Sequence, residues 1–343
     1  MTSSTASTPD GAAPSPPSFA DIEAASERLL GKAVGTPLLE FPALNDRTGG
    51  RILIKAETLQ RTGSFKFRGA FNRISLIPES ARGAGVVAYS SGNHAQGVAA
   101  AAALLGVPAT IVMPADAPAI KLANTRAFGA EVVTYVRSEE SREALAQEMA
   151  ERRGATLVRP FDDTGIIAGQ GTCGLEIARQ AADRGVELDA AVVCCGGGGL
   201  TSGCALALSE LSPRTRVYAA EPADFDDTRR SLERGERVAI EPEGTSFCDA
   251  LLSHIPGELT FSINRDLLAG GLVASDVEVA EAMAYAFRTL KLVVEPGGAV
   301  ALAAVLSGRI DVQGKTVAVT LSGGNVDPAT FARVLAEAGL PSA

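Results

Sequence analysis

In "TGSFKFRGA", residues 62–70, a single lysine, Lys66, stands between Phe65 and Phe67. A solvated lysine gains nothing from two aromatic neighbours. A lysine held in apolar surroundings loses the hydration of its ammonium form, so its pKa falls and the free amine becomes a nucleophile toward carbonyl carbon. The plainer alternative is a stem lying over apolar surface with its head in water.

Three other stretches carry chemistry of their own. "VVCCGGGGLTSGCALAL" places Gly196, Gly197, Gly198 and Gly199, then Leu200, between a strand pattern and a helix pattern. Backbone N–H groups without side chains in the way, backed by a helix N-terminus, suit a phosphate. The run does not match GxGxxG, and "GRIDVQGKT" (308–316) precedes a strand instead of following one, so dinucleotide and triphosphate readings both weaken. "YSSGNHAQG" (89–97) likewise follows a strand and opens a helix; Ser90, Ser91, Gly92, Asn93 and His94 make a second anion-ready turn, suited to a carboxylate. His94 is a candidate base, although a helix N-terminus lowers an imidazole pKa. "LSGGN" (321–325) ends the last strand with the hydroxyl of Ser322, and strand carboxyl ends converge on one crevice. A reactive amine, a phosphate cradle and a carboxylate cradle together describe a Schiff-base lysine holding pyridoxal 5′-phosphate for work on an amino acid.

"AAEPADFDDTRR" (219–230) gathers Glu221, Asp224, Asp226 and Asp227 within seven residues. Hard oxygen ligands of this kind suit Mg²⁺ or Ca²⁺, while a solvated acidic loop is the commoner meaning of such a run.

The elements that must position these groups are legible as short β-branched runs alternating with Ala/Leu-rich helical stretches: 51–57, 85–91, 108–114, 130–136, 190–196, 216–222 and 315–324. Continuous apolar strands separated by helices mean buried parallel sheet covered on both faces, an α/β fold of two doubly wound lobes. Residues 84–160 are expected to form a small inserted domain, with 19–83 and 161–343 forming the large domain and the site in the crevice between them. Residues 1–18, rich in Ser, Pro and Ala, are expected to be a disordered tail instead of a signal peptide, and 233–247 a long irregular segment.

The balance of 31 Lys and Arg against 40 Asp and Glu argues against a nucleic-acid partner. The longest apolar stretch, Val98 to Met113, is broken by Gly106 and Pro108, so it reads as a buried helix and strand and not as a membrane span. Five scattered cysteines, no CxxC and two histidines exclude a zinc framework and fit reduced thiols in the cytoplasm. A small molecule is the expected partner.

"SFKFRGA", "SSGNHAQGVA", "GGGGL" and "SGGN", in this order, resemble the fold-type II (tryptophan synthase β-like) pyridoxal-phosphate enzymes, specifically the serine/threonine dehydratase and serine racemase group, from about residue 20 to 335. The resemblance implies that Lys66 carries the cofactor and moves the Cα proton, and that Phe65 packs on the pyridine ring. It implies Gly196 to Gly199 and Leu200 at the phosphate, Asn93 at the 3′-oxygen and Ser322 at the pyridine nitrogen. The substrate carboxylate would lie on Ser90 to His94. Ser91 stands where serine racemases carry the base of the opposite face, so racemase side activity is expected to be open to this chain. "EPADFDD" resembles the racemases' divalent-metal loop, with Glu221, the Phe225 carbonyl and Asp227 as ligands for Mg²⁺ (or Ca²⁺ or Mn²⁺).

Ala250 in "FCDAL" departs from the glycine usual in relatives, which narrows the pocket or changes its preference. The chain stops soon after "SGGNVD", so isoleucine feedback through a long C-terminal region is not expected. A homodimer is expected from the resemblance. The leading activity is an ammonia-lyase converting L-threonine and L-serine to a 2-oxo acid and ammonia; the alternatives are a serine racemase and a dehydratase of 3-hydroxyaspartate or another β-hydroxy amino acid. Arg68 either reads a second carboxylate or is structural. A non-catalytic amino-acid or nucleotide binding protein on the same frame is the alternative from a different class.

Overall fold

Each of the seven β-branched runs forms a strand, and three further segments join them. The computed structural model describes residues 15–117, 119–136, 138, 140–241 and 244–338. In chain order the strands are β1 (Leu38–Glu40), β2 (Arg51–Ala56), β3 (Val86–Tyr89), β4 (Ala109–Pro114), β5 (Glu131–Tyr135), β6 (Thr156–Leu157), β7 (Ala190–Cys194), β8 (Arg216–Pro222), β9 (Leu268–Ala274) and β10 (Thr316–Leu321). They make two sheets, one ordered β1-β2-β10-β7-β8-β9 and the other β5-β4-β3-β6. Every pairing is parallel except the short β1 against β2.

The alternation along each strand explains why the apolar runs are continuous. In β2, Ile52 and Ile54 enter a core beneath the helix Pro296–Leu306, while Leu53 enters the opposite core with Val193, Cys204 and Leu208. The second sheet repeats this, Ile111 and Met113 facing one cluster and Val112 the other. A strand with both faces covered has no solvent side on which a polar residue would be cheap. Truncating one of these fully buried side chains, Ile54→Ala for instance, costs about 2–5 kcal/mol.

All four strands of the smaller sheet lie between residues 86 and 157, so the chain leaves the six-stranded sheet after β2 and returns to it at β7. Ser18 closes a capping box at the start of helix Phe19–Leu29, and the Ser15 carbonyl accepts from Thr164 Oγ1 at 3.0 Å. The tail expected over 1–18 is therefore anchored over its last residues, while 1–14 lie outside the described residues. The apolar stretch around Val98 to Met113 is the helix Asn93–Leu105, ended by left-handed Gly106, followed by β4. Helix Asp227–Arg234 leads into the expected irregular segment, of which 242 and 243 lie outside the described residues.

Candidate active site

Lys66 opens the helix Lys66–Ser75 at the seam between the two lobes. Phe67 is fully buried and packs on Phe71 at 5.7 Å, whereas Phe65 lies beside the amine, its ring centroid 5.1 Å from Nζ. Nζ donates to the Pro160 carbonyl at 2.8 Å. Lost hydration lowers the Lys66 pKa to about 8, with the Glu295 carboxylate pulling the other way. The two phenylalanines thus have separate work: one anchors the helix and the other walls the amine.

Three strand ends meet this lysine. After β10, the Ser322 carbonyl accepts from Phe65 N–H at 3.1 Å, the Ser322 N–H donates to Gly298 at 3.3 Å, and Ser64 pairs with Gly323 as an isolated bridge. After β3, the Ser90 to His94 turn enters the helix Asn93–Leu105, whose first N–H groups have no intrahelical acceptor. Asn93 Nδ2 donates to Glu295 Oε1 at 2.5 Å and Asn93 Oδ1 accepts from Asn325 Nδ2 at 2.8 Å. Asn325 also donates to the Thr62 carbonyl at 2.7 Å, tying the lysine loop to the same knot.

After β7 comes the glycine loop. Among the described residues, the N–H groups of Gly196, Gly197 and Gly198 donate to no protein acceptor. Gly198 has φ +94°, a left-handed conformation that a side chain resists, and a Cβ there would lie 2.9 Å from Thr260. A Cβ on Gly197 would fall 2.4 Å from the ring of Phe161, the residue after Lys66's acceptor. Thr260 Oγ1 donates to the Gly197 carbonyl at 2.7 Å, and buried Leu200 is the second residue of the following helix, Gly199–Leu211. Free N–H donors ahead of a helix fit a phosphate, a depressed amine fits an aldehyde, and the Ser90 to His94 turn fits a carboxylate. The residues present fit pyridoxal 5′-phosphate and an amino acid.

His94 is buried, with Nε2 3.0 Å from the Val158 carbonyl; since a carbonyl only accepts, Nε2 carries the proton. Burial, with the nearby Lys66 charge adding to it, lowers its pKa to about 3, so the ring stays neutral. Its Nδ1 has no partner among the described residues. The ring therefore supplies no cation to a substrate carboxylate, and only its main-chain N–H serves the turn.

The acidic stretch divides into unlike parts. Asp224 is exposed, and Asp226 is engaged by Arg229 and Arg230. Glu221, at the end of β8, accepts from the N–H groups of Thr228 and Arg229 at 2.9 and 2.8 Å. Asp227 is fully buried and, among the described residues, neither of its oxygens has a partner. Burial pushes the Glu221 carboxyl up to about 8, the Asp226 charge adding to it, and that of Asp227 up to about 9, the Glu221 and Asp226 charges adding to it. Orphaned carboxylate oxygens fit a cation better than an empty core. Among the described residues no group of three or more His, Cys, Asp or Glu is placed to hold one, so a cation on Glu221 and Asp227 would need further ligands such as the main-chain oxygen of buried Phe225.

Arg68 does not face the crevice. Its guanidinium is 1% exposed, bidentate to Glu57 at 2.8 and 2.9 Å and to Glu176 at 2.7 and 2.8 Å. Lys55 completes a neutral quartet through Glu176 at 2.6 Å. With its donors used, Arg68 has a structural part and reads no substrate carboxylate. Ala250 does border the site region: its carbonyl would stand 3.4 Å from a Cβ on Gly196.

Glu295 and Pro160 belong to the site although no motif in the sequence marks them. Neither carries a local signal, because their partners lie 202 and 94 residues away in the chain.

Comparison with known proteins agrees with this geometry. Residues 30–323 match the family model described as pyridoxal-phosphate dependent enzyme. The chain is 45% identical to an L-threo-3-hydroxyaspartate ammonia-lyase of Pseudomonas sp, over 93% of this chain and 98% of that protein. It is 40% identical to an L-threonine ammonia-lyase of Thermotoga maritima, over 92% of this chain and 77% of that one. The maize serine racemase structure superposes with a TM-score of 0.87 at 35% identity, covering 94% of this chain and 97% of the racemase.

Proposed function

The chain belongs to the pyridoxal-phosphate dependent enzymes, and from that premise we propose that it is an ammonia-lyase taking the Cα proton and the β-hydroxyl from L-serine and L-threonine, leaving a 2-oxo acid and ammonia. The observation that carries the reading is Lys66: an amine with its pKa lowered to about 8, set at the meeting point of the β3 and β10 ends. When bound, pyridoxal 5′-phosphate supplies an electron sink for the Cα–H bond pair.

The chain's own residues supply the rest. The N–H groups of Gly196 to Gly198 hold the phosphate, and Ser322, Asn93 and Phe65 fix the ring's nitrogen, 3′-oxygen and face. The Ser90 to His94 turn holds the α-carboxylate, which sets Cα–H toward Lys66. As a free amine Nζ accepts that proton; the resulting ammonium holds it within reach of the leaving β-hydroxyl, which departs as water. The Pro160 carbonyl orients Nζ between the two tasks. The released enamine hydrolyses in solution.

Glu221, Asp227 and the Phe225 carbonyl would hold Mg²⁺ as a structural ion at the end of β8. All five cysteines are free and buried, which suits a reducing cytoplasm. A second reading, a lyase of 3-hydroxyaspartate, is supported by the 45% identity to the Pseudomonas enzyme. The test is 2-oxo acid release from L-serine, L-threonine and L-threo-3-hydroxyaspartate, with product chirality followed alongside. Oxo acid from one or more of them supports the lyase; D-serine without oxo acid would replace it with a racemase.

A further inference from the structure

Asn325 closes the loop after β10, in "SGGN" with Ser322, and both hydrogens of its amide are spent. Nδ2 donates to the Thr62 carbonyl at 2.7 Å and to Asn93 Oδ1 at 2.8 Å. A main-chain carbonyl only accepts, so Thr62 fixes which end of the Asn325 amide is nitrogen. The second hydrogen then needs an oxygen opposite it, which turns the Asn93 amide with Oδ1 toward Asn325 and Nδ2 toward Glu295 Oε1. The row Thr62, Asn325, Asn93, Glu295 thus has an acceptor at each end and one consistent polarity. One hydrogen of Asn93 Nδ2 remains, and among the described residues no protein acceptor takes it.

The backbone is shaped to keep Asn325 there. Thr62 has a left-handed φ of +63°, a conformation that a non-glycine residue holds only where its neighbours over-determine it. Asn325 holds the Thr62 carbonyl, and the next carbonyl, that of Gly63, accepts from Gly324 N–H at 2.9 Å. A Cβ on Gly63 would lie 2.5 Å from Asn325 Oδ1, and one on Gly324 would lie 2.9 Å from the Val293 carbonyl. These glycines let the lysine loop, the loop after β10 and the segment before Glu295 close on one another.

We propose that Asn325 is a positioning residue: by orienting the Asn93 amide it keeps an N–H, and not a carbonyl oxygen, toward the cofactor's 3′-oxygen. A donor there stabilises that oxygen in its ionised form, whereas an acceptor there requires it to carry a proton. The "SGGN" loop then sets the ring's charge at two points, Ser322 directly at the nitrogen and Asn325 through Asn93 at the oxygen. This rests on the proposed place of Asn93 at the cofactor and not on which substrate is turned over.

Asn325→Asp keeps the side chain's shape and reverses its polarity. A carboxylate facing the Thr62 carbonyl and Asn93 Oδ1 has no hydrogen to give, and the Asn93 amide relieves this by turning over, which points its oxygen at the cofactor. Asn325→Ala removes the tether without forcing that turn, since Glu295 still accepts from Asn93 Nδ2. The readout is the absorbance of the holoenzyme at saturating cofactor and without substrate, taken as the ratio of the visible band of the ionised 3′-oxygen to the near-ultraviolet band of the protonated one. Exchanging a hydrogen bond for an unsatisfied pair predicts a fall of roughly 5- to 150-fold in that ratio for Asn325→Asp. Asn325→Ala should give a smaller fall, and neither substitution should change the ratio further when added to Asn93→Ala. An unchanged ratio in Asn325→Asp, a fall in Asn325→Ala as large as in Asn325→Asp, or the same fall with Asn93 already removed overturns the assignment. The expected spectra with no oxo acid released from any substrate would keep Asn325 in its part and remove the lyase reading alone.

Discussion

Uptake of pyridoxal 5′-phosphate by the apoenzyme should follow the ionisation of Lys66, because only its free amine attacks the aldehyde. With a pKa of about 8, roughly one amine in 11 is free at pH 7, against about one in 3,000 for an ordinary lysine at 10.5. The uptake rate is then expected to rise about fivefold from pH 7 to 8 and to change by only about a tenth from pH 9 to 10. Stopped-flow absorbance of apoenzyme mixed with the cofactor, with Lys66→Ala as the blank, reads this directly. A rate that keeps climbing about tenfold per pH unit to pH 10 would refute the argument, since it would show a fully hydrated ammonium. Glu295→Gln gives an internal check on the sign. The carboxylate holds the Lys66 pKa up, so its removal should move the midpoint below 8.

Linkage gives the same shift a second signature. The folded pKa lies below the unfolded one, so from about pH 8 to 10.5 the unfolded chain binds the proton that the folded chain has released, and the stability contributed at this site rises with pH. Below pH 8 the partly buried, desolvated ammonium is a fixed cost of up to about 3 kcal/mol. Lys66→Met should accordingly raise the apoenzyme's melting temperature at pH 7 and lose that advantage above pH 10.5, measured by calorimetry of the apo form.

Arg68→Met should destabilise the fold by about 3–5 kcal/mol in denaturant unfolding, because it leaves Glu57 buried with its main counter-charge gone; a loss below about 1 kcal/mol would contradict the quartet's part in the seam. Asp227→Ala should abolish any response of melting temperature and activity to a chelator, and unchanged chelator sensitivity would remove the metal assignment. Ser91→Ala should suppress any serine racemisation more than elimination, as judged by product chirality against oxo acid release; equal loss would contradict a two-face arrangement.

The parts of the fold legible in the sequence are those whose energetics are local or one-dimensional. β2, β7 and β10 are covered on both faces over their middles, so each carries an unbroken apolar run of three or more residues. β9 does not, because it is an edge strand, mostly half-exposed, carrying two glycines in "LAGGLVA". β6 has two residues and β1 three, too short for any period to show. The site divides in the same way. The glycine loop, the Ser90 to His94 turn and Ser322 each follow their own strand, and strand ends meet by topology. Glu295 and Pro160 join the site only once distant segments are brought together.

Lys66 and Arg68 show why spacing alone could not assign a charge to the crevice. Successive residues of a helix turn about 100° apart, so the three side chains from Lys66 to Arg68 fan into three environments. Lys66 reaches the crevice and the Pro160 carbonyl, Phe67 enters the core of the smaller lobe, and Arg68 enters the charged quartet with Glu57 and Glu176. The buried quartet is not the cheapest filling for its space, since well-packed apolar groups are often as stable as a buried ion pair. The quartet's geometry, however, admits one rotation of this helix. An apolar substitute at residue 68 would tolerate several degrees of roll, and each degree would swing Nζ across the plane that the β3 and β10 loops define. On that argument the measure of the quartet is less its stability than the uniqueness with which it aims Lys66.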